Sequence, residues 1–101
     1  MYILLWGYQV KTENQSEFEK TYSPNGAWAD LFNKGTGYLG TKLIHSDEFP
    51  EQYVTLDRWA SSEDYEAFLS QWKDEYEKLD AHCEGLTDHE SCLGRFGARF
   101  S

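Results

Sequence analysis

The sequence is poor in cysteine, proline and positive charge. The two cysteines, Cys83 and Cys92, are too few for a disulfide-built scaffold and read as free thiols. The two prolines, Pro24 and Pro50, lie far apart, so no proline-rich linker divides the chain. Nine basic residues face 18 acidic ones, giving a net charge of −9. Phosphate backbones repel such a surface, and no basic stripe with interleaved aromatics is present, so neither nucleic acid nor an anionic membrane is expected as a partner. No apolar run approaches the roughly 18 residues of a membrane span. The apolar start, Met1 to Trp6, is short and is followed by Gly7 and Gln9. It reads as a first strand and not as a secretory signal, so a cytoplasmic protein is expected. The histidines are equally sparse. His82, Cys83 and His89 bracket a turn with a spacing that fits no zinc signature, and no metal is expected.

Aromatic residues are abundant: four Trp, seven Tyr and six Phe among 101 residues. Each large ring can bury roughly 150–250 Å², so the core of this single domain, residues 1–101, is expected to be built mainly from rings. The organising stretch is QYVTLDRWA, residues 52–60. Tyr53, Thr55, Asp57 and Trp59 alternate with Val54, Leu56 and Arg58, and a two-residue period predicts a β-strand. One face is aliphatic. The other carries two aromatics with a hydroxyl and a carboxylate between them, which suits a cavity wall or a surface covered by a second subunit.

The remaining elements follow from period and punctuation. Residues 2–11 predict a strand with apolar groups on both faces, and Thr12 with Gln15 predicts a capping box opening a helix. Phe18 and Tyr22 mark that helix's buried face. Ser23-Pro24-Asn25-Gly26 ends it, and Trp28, Leu31 and Phe32 predict a short second helix from Ala27 to about Lys34. Residues 37–46 predict a strand in which Leu39, Leu43 and His45 alternate with Tyr38, Lys42 and Ile44, with Gly40 at a bulge or close approach. After the 52–60 strand, Ser61 caps one long helix, about residues 62–82, whose stripe is Tyr65, Phe68, Leu69, Trp72, Tyr76 and Leu79. Gly85 stands where a helix stop is expected, and a last strand covers about residues 89–99.

This order is the split βαβ of an α+β, ferredoxin-like βαββαβ domain, with a four-stranded antiparallel sheet and its helices on one face. Apolar residues on both sides of the strands leave a second sheet face needing cover. A homodimer packed sheet against sheet is therefore expected.

The stretches WGYQV, EFEKTYSPNGAWADLF, GYLGTKLI and, above all, DRWASSEDYEAF resemble the antibiotic biosynthesis monooxygenase family of the dimeric α/β-barrel superfamily, over about residues 2–100. That resemblance implies a dimeric barrel and a monooxygenase acting without cofactor on an aromatic or quinol-type small molecule. It sets Trp59 at the family's strand-end tryptophan and Tyr65 at a tyrosine of its aromatic-substrate oxygenases. Thr55 stands where those enzymes carry an asparagine. The second long helix lacks a histidine near Phe68, and Trp6 and Tyr8 occupy the first strand where the haem-degrading branch needs an asparagine. Haem is therefore not expected.

The candidate catalytic residues are Trp59, Asp57 and Arg58: Trp59 to stack, Asp57 as a base if buried, and Arg58 or Arg95 to stabilise a phenolate. Tyr65, Trp6, Tyr53 and Trp28 are the candidates for substrate contact. Two alternatives compete: Trp59 and Tyr65 as plain core, and the whole chain as a non-catalytic dimeric barrel holding a small ligand.

Overall fold

The sheet is assembled around the first strand. In the computed structural model, which describes residues 1–97, β1 (Tyr2–Gln9) pairs antiparallel with both β3 (Gln52–Trp59) and β4 (His89–Gly97). β2 (Tyr38–His45) adds to β3, giving the order β2-β3-β1-β4. Four α-helices cover one face: α1 (Gln15–Tyr22), α2 (Ala27–Phe32), α3 (Ser62–Gln71) and α4 (Lys73–Cys83). The expected ferredoxin-like α+β topology is what forms, and the sheet of the single chain is open, not closed into a barrel. None of the described helices is long and apolar enough to cross a membrane.

The strand alternation decides which side chains meet the helices. Tyr53, Thr55, Asp57 and Trp59 are all buried, while Val54, Leu56 and Arg58 between them are only half-buried. The mixed aromatic and polar face of β3 therefore looks into the helix layer. Rings dominate the core, as expected: Phe18 stacks on Tyr22 with centroids 4.2 Å apart, and Trp59 sits among Phe32, Tyr38, Tyr65 and Phe68 at 5.2–5.9 Å. Such tilted and edge-on pairs are the favoured ring geometries.

Four local expectations are corrected. Thr12 does not cap α1. Residues Thr12–Asn14 form a 3₁₀ turn, Asn14 stands at the cap without a side-chain bond to the helix, and the Gln15 amide is drawn off to the Pro50 carbonyl at 2.9 Å. The second long helix is two helices broken at Trp72 (φ −111°, ψ 26°), with no proline or glycine at the break. The bend lets Phe68 pack on Trp59 while Tyr76 packs on Trp28. Gly85 falls inside a 3₁₀ turn, Glu84–Leu86, without a positive φ, so α4 runs into that turn instead of stopping at a left-handed glycine. The fourth correction lies in β2. The expected bulge occurs, with Gly40 at φ 123°, and the register skips a residue between Tyr38 and Gly40. The extra residue moves Tyr38 to the same face as Thr41 and Leu43, where it packs on Trp59 and Phe32. Ser61 caps α3 as expected, its Oγ accepting from the Asp64 N–H at 3.1 Å. The end of the last predicted strand, residues 98 and 99, lies outside the described residues.

Candidate active site

Between the sheet and helices α1, α2 and α4 lies a narrow, partly open cavity of about 30 Å³, room for a water or two with the walls as they stand. Its lining comes from every layer: Trp6 and Tyr8 of β1, Thr41 of β2, Thr55 and Asp57 of β3, Glu90 of β4, Tyr22 and Tyr76 of the helices, and Trp28 and Phe32 of α2. The walls are linked rings. Trp28 lies 5.0 Å from Tyr76, 5.7 Å from Phe32 and 6.2 Å from Tyr22, and Tyr22 lies 5.1 Å from Tyr8.

Asp57 is the chemically distinctive group. It is 7% exposed, and no lysine or arginine is among the described residues lining the cavity. Burial in this ring-lined site disfavours the carboxylate and pushes Asp57 up to about 6. The only opposing influence is a hydrogen bond: Thr41, directly opposite on β2, donates its hydroxyl to Asp57 Oδ1 at 2.7 Å. Because the Thr41 proton is committed to Asp57, the Tyr38 hydroxyl must be the donor in its 2.5 Å bond to Thr41 Oγ1. The result is a directed chain, Tyr38 to Thr41 to Asp57. The floor carries a second polar pair, the Tyr8 hydroxyl and Thr55 Oγ1 at 3.2 Å. Burial holds the phenols of Tyr8, Tyr22 and Tyr76 well above their ordinary range, so all three are neutral donors at physiological pH. Glu90 sits exposed at the rim, yet partial desolvation, with the charge of Asp80 beside it, raises its carboxyl too.

The candidate residues from the sequence divide cleanly. Asp57, Trp6 and Trp28 line the cavity together. Trp59 does not: it is 0% exposed and enclosed by rings, as the core alternative has it. Tyr65 packs between Tyr2 and Trp59, with Arg95 6.0 Å above its ring, also away from the cavity. Tyr53 stacks on His45 at 4.4 Å and donates its hydroxyl to Glu19. Arg58 belongs to the opposite face of the sheet, its Nη2 donating to the Leu39 carbonyl at 3.1 Å. Strand alternation alone sends Arg58 away from Asp57. The residues that sequence reasoning passed over are Thr41, Tyr38, Tyr22 and Glu90. Of these, Glu90 carried a readable signal, since it falls opposite Tyr8 once β4 pairs with β1.

A cavity between the sheet and helices of a ferredoxin-like domain, lined by rings and holding a buried carboxylate, is the context for the similarity to known proteins. The family model for antibiotic biosynthesis monooxygenases matches residues 1–87. The chain belongs to that family. Among solved structures, SnoaB from Streptomyces nogalater, a cofactor-independent oxygenase, superposes with a TM-score of 0.72 at 18% identity, covering 99% of this chain and 94% of SnoaB. A protein from Deinococcus radiodurans assigned to the antibiotic biosynthesis monooxygenases superposes with a TM-score of 0.77 at 13% identity, covering 100% and 95% of the two chains. MhuD, with two manganese protoporphyrin IX molecules per active site, gives 0.70 at 19% identity, with 100% and 97% coverage. These likenesses establish the shared fold. No curated protein matches this monooxygenase-family chain in sequence.

Proposed function

We propose that this family member is a cofactor-independent monooxygenase of an electron-rich aromatic, quinol- or anthrone-type small molecule, with Asp57 as its base. The observation that carries the reading is the buried carboxyl of Asp57, held near neutral pH inside a cavity walled by indoles and phenols. A general base works best when its pKa lies close to the working pH. At pH 7.5 Asp57 is mostly ionised and is a stronger base than an ordinary aspartate. A ring enters as the cavity walls part; Asp57 removes a proton from it, and Trp6 and Trp28 offer flat faces against which it stacks. The substrate anion passes an electron to dioxygen, the resulting pair joins as a peroxide, and loss of water leaves a carbonyl. An anthrone-type CH₂ thus becomes C=O. One oxygen atom stays on carbon, the other departs as water, and all four electrons come from the substrate. The neutral phenols of Tyr8, Tyr22 and Tyr76 supply hydrogen bonds to the developing oxyanion. A haem reading, prompted by MhuD, has less support because no histidine is among the described residues lining the cavity.

The second part of the proposal is a homodimer that closes two open sheets against each other. Ile44, Leu93 and Phe96 are 49–57% exposed beside half-buried Ile3, Leu5, Val54 and Leu56, an apolar surface larger than scattered single side chains make. The test of function is oxygen uptake with anthrones and hydroquinones by the wild-type protein and by Asp57→Asn. Turnover that falls at least about a hundredfold in the folded variant supports the reading; turnover equal in both proteins, or no uptake with either substrate class, sinks it.

A further inference from the structure

The charge pattern around the cavity narrows the class of molecule it takes. Two features point the same way. First, the walls are electron-rich ring faces, Trp6, Trp28, Tyr22 and Tyr76 among them, the surfaces that attract ammonium groups. Second, the charged groups at the site are, among the described residues, negative: Asp57 on the floor and Glu90 at the rim, with Asp80 close enough to Glu90 to raise its carboxyl. Glu90 stands opposite Tyr8 across the β1–β4 pair, and Asp80 lies one helical turn beyond Tyr76 on α4. Glu90 is thus the rim carboxylate, and Asp80, outside the lining, adds negative charge near it. No lysine or arginine among the described residues lines the cavity. An anionic substrate would meet two carboxylates without a counter-charge, whereas a cation would find both partners already in place.

We infer that the substrate is a cationic aromatic: an oxidisable phenolic ring that carries a protonated amine or quaternary ammonium on a short side chain. The ammonium lies at the rim between Glu90 and the ring faces, and the ring parts the walls of the narrow cavity to reach Asp57. This rests on reading the cavity as the substrate site. It adds a role for Glu90, which anchors charge and takes no part in the oxidation.

The experiment is a tryptophan-fluorescence titration of the intact protein with three probes of similar shape: tyramine as the cation, 4-ethylphenol as the neutral analogue and 4-hydroxyphenylacetate as the anion. Tyramine is expected to bind about tenfold more tightly than 4-ethylphenol, and the anion more weakly than either. Glu90→Gln, a change of charge without change of size, should bring the affinity for tyramine down to that for 4-ethylphenol. Equal affinity for tyramine and 4-ethylphenol, tighter binding of the anion, a preference that survives Glu90→Gln, or no binding of any probe would each overturn the inference. The oxygenase reading fails separately. Asp57-dependent oxygen uptake with neutral hydroquinones and no preference for tyramine would leave that reading standing and this one refuted. Selective tyramine binding without uptake of oxygen on any substrate would do the reverse.

Discussion

Thr41 and Asp57 face each other across neighbouring antiparallel strands, and the Thr41 hydroxyl donates to Asp57 Oδ1 at 2.7 Å. It is the one hydrogen bond that offsets the burial of this carboxylate. Removing it should therefore act on charge more than on shape.

Thr41→Val keeps the volume and deletes the donor. Asp57 then ionises at a pH above 6, and the rising limb of the pH–rate profile moves to higher pH by about one unit. Stability at pH 7.5 falls by roughly 1–3 kcal/mol, because the carboxylate loses its partner. Tyr38→Phe, one bond further along, should cost only about 0.5–1.5 kcal/mol. A profile unmoved by Thr41→Val would show that Asp57 does not set the rate.

Asp57 itself should make the fold less stable as pH rises. Its folded value, about 6, lies above the ordinary 3.8. Between those values the folded chain holds a proton that the unfolded chain has lost, so stability declines as pH climbs through that window and stays lower above it. The full difference is about 2–3 kcal/mol at 1.36 kcal/mol per unit. Asp57→Asn, which still accepts from Thr41, removes this dependence. Urea titrations at pH 4 and pH 7.5 should find the variant gaining on wild type by that amount at the higher pH. A gap equal at both values would count against a buried carboxyl.

Trp59 and Trp6 should separate under truncation. Trp59 is fully enclosed, so Trp59→Ala leaves a large void and costs about 3–5 kcal/mol, visible as a drop in thermal midpoint. Trp6 is half-buried on the cavity wall. Trp6→Ala should cost less stability and raise KM for a flat substrate. The opposite ranking would place the substrate at Trp59.

The chain turns from α2 into β2 through Gly37, at φ +88°, where an added Cβ would lie 2.2 Å from Asp64 Oδ2. Gly37→Ala combines a left-handed backbone with that collision and should lose well over 1 kcal/mol. Gly85, with open space around its Cα, should accept alanine with little effect. Denaturant midpoints for the two variants check the contrast.

The homodimer is tested on the open sheet face. Leu93→Lys puts a charge beside Gly7, over whose Cα the Leu93 side chain lies. Sedimentation should show a dimer for the wild type and a monomer for Leu93→Lys; a wild-type monomer at micromolar concentration would remove the dimer from the proposal.

Most of the fold was legible because it depends on periods. The two-residue alternation of β3 and the wide apolar stripe from Tyr65 to Leu79 each place a buried face without knowledge of neighbours. The same alternation separates Arg58 from Asp57 and puts Tyr53, Thr55, Asp57 and Trp59 in one row. Ser61, read as a cap, is one, because capping needs only residues nearby in sequence. Gln15 shows the limit. Its amide had a local use in a capping box, but the Pro50 carbonyl, 35 residues away, took the bond.

What the sequence could not decide is which members of that row touch open space. Trp59 and Asp57 lie two residues apart on one strand face, yet one is sealed among Phe32, Tyr38, Tyr65 and Phe68 and the other looks into the cavity. Helix placement makes that distinction, and it comes from long-range packing. The Tyr38–Thr41–Asp57 chain was equally hidden. Tyr38 and Thr41 share a face only because an extra residue at Gly40 shifts the register of β2, and the partner that receives their proton lies on another strand. The sequence by itself determined the strands, the topology and the ring-rich core, because these follow from local periodicity and side-chain type, while the break at Trp72 left no local mark. The tertiary structure alone decided where the cavity lies and which carboxylate it holds, because a void is defined by the surfaces that meet around it and not by any one segment.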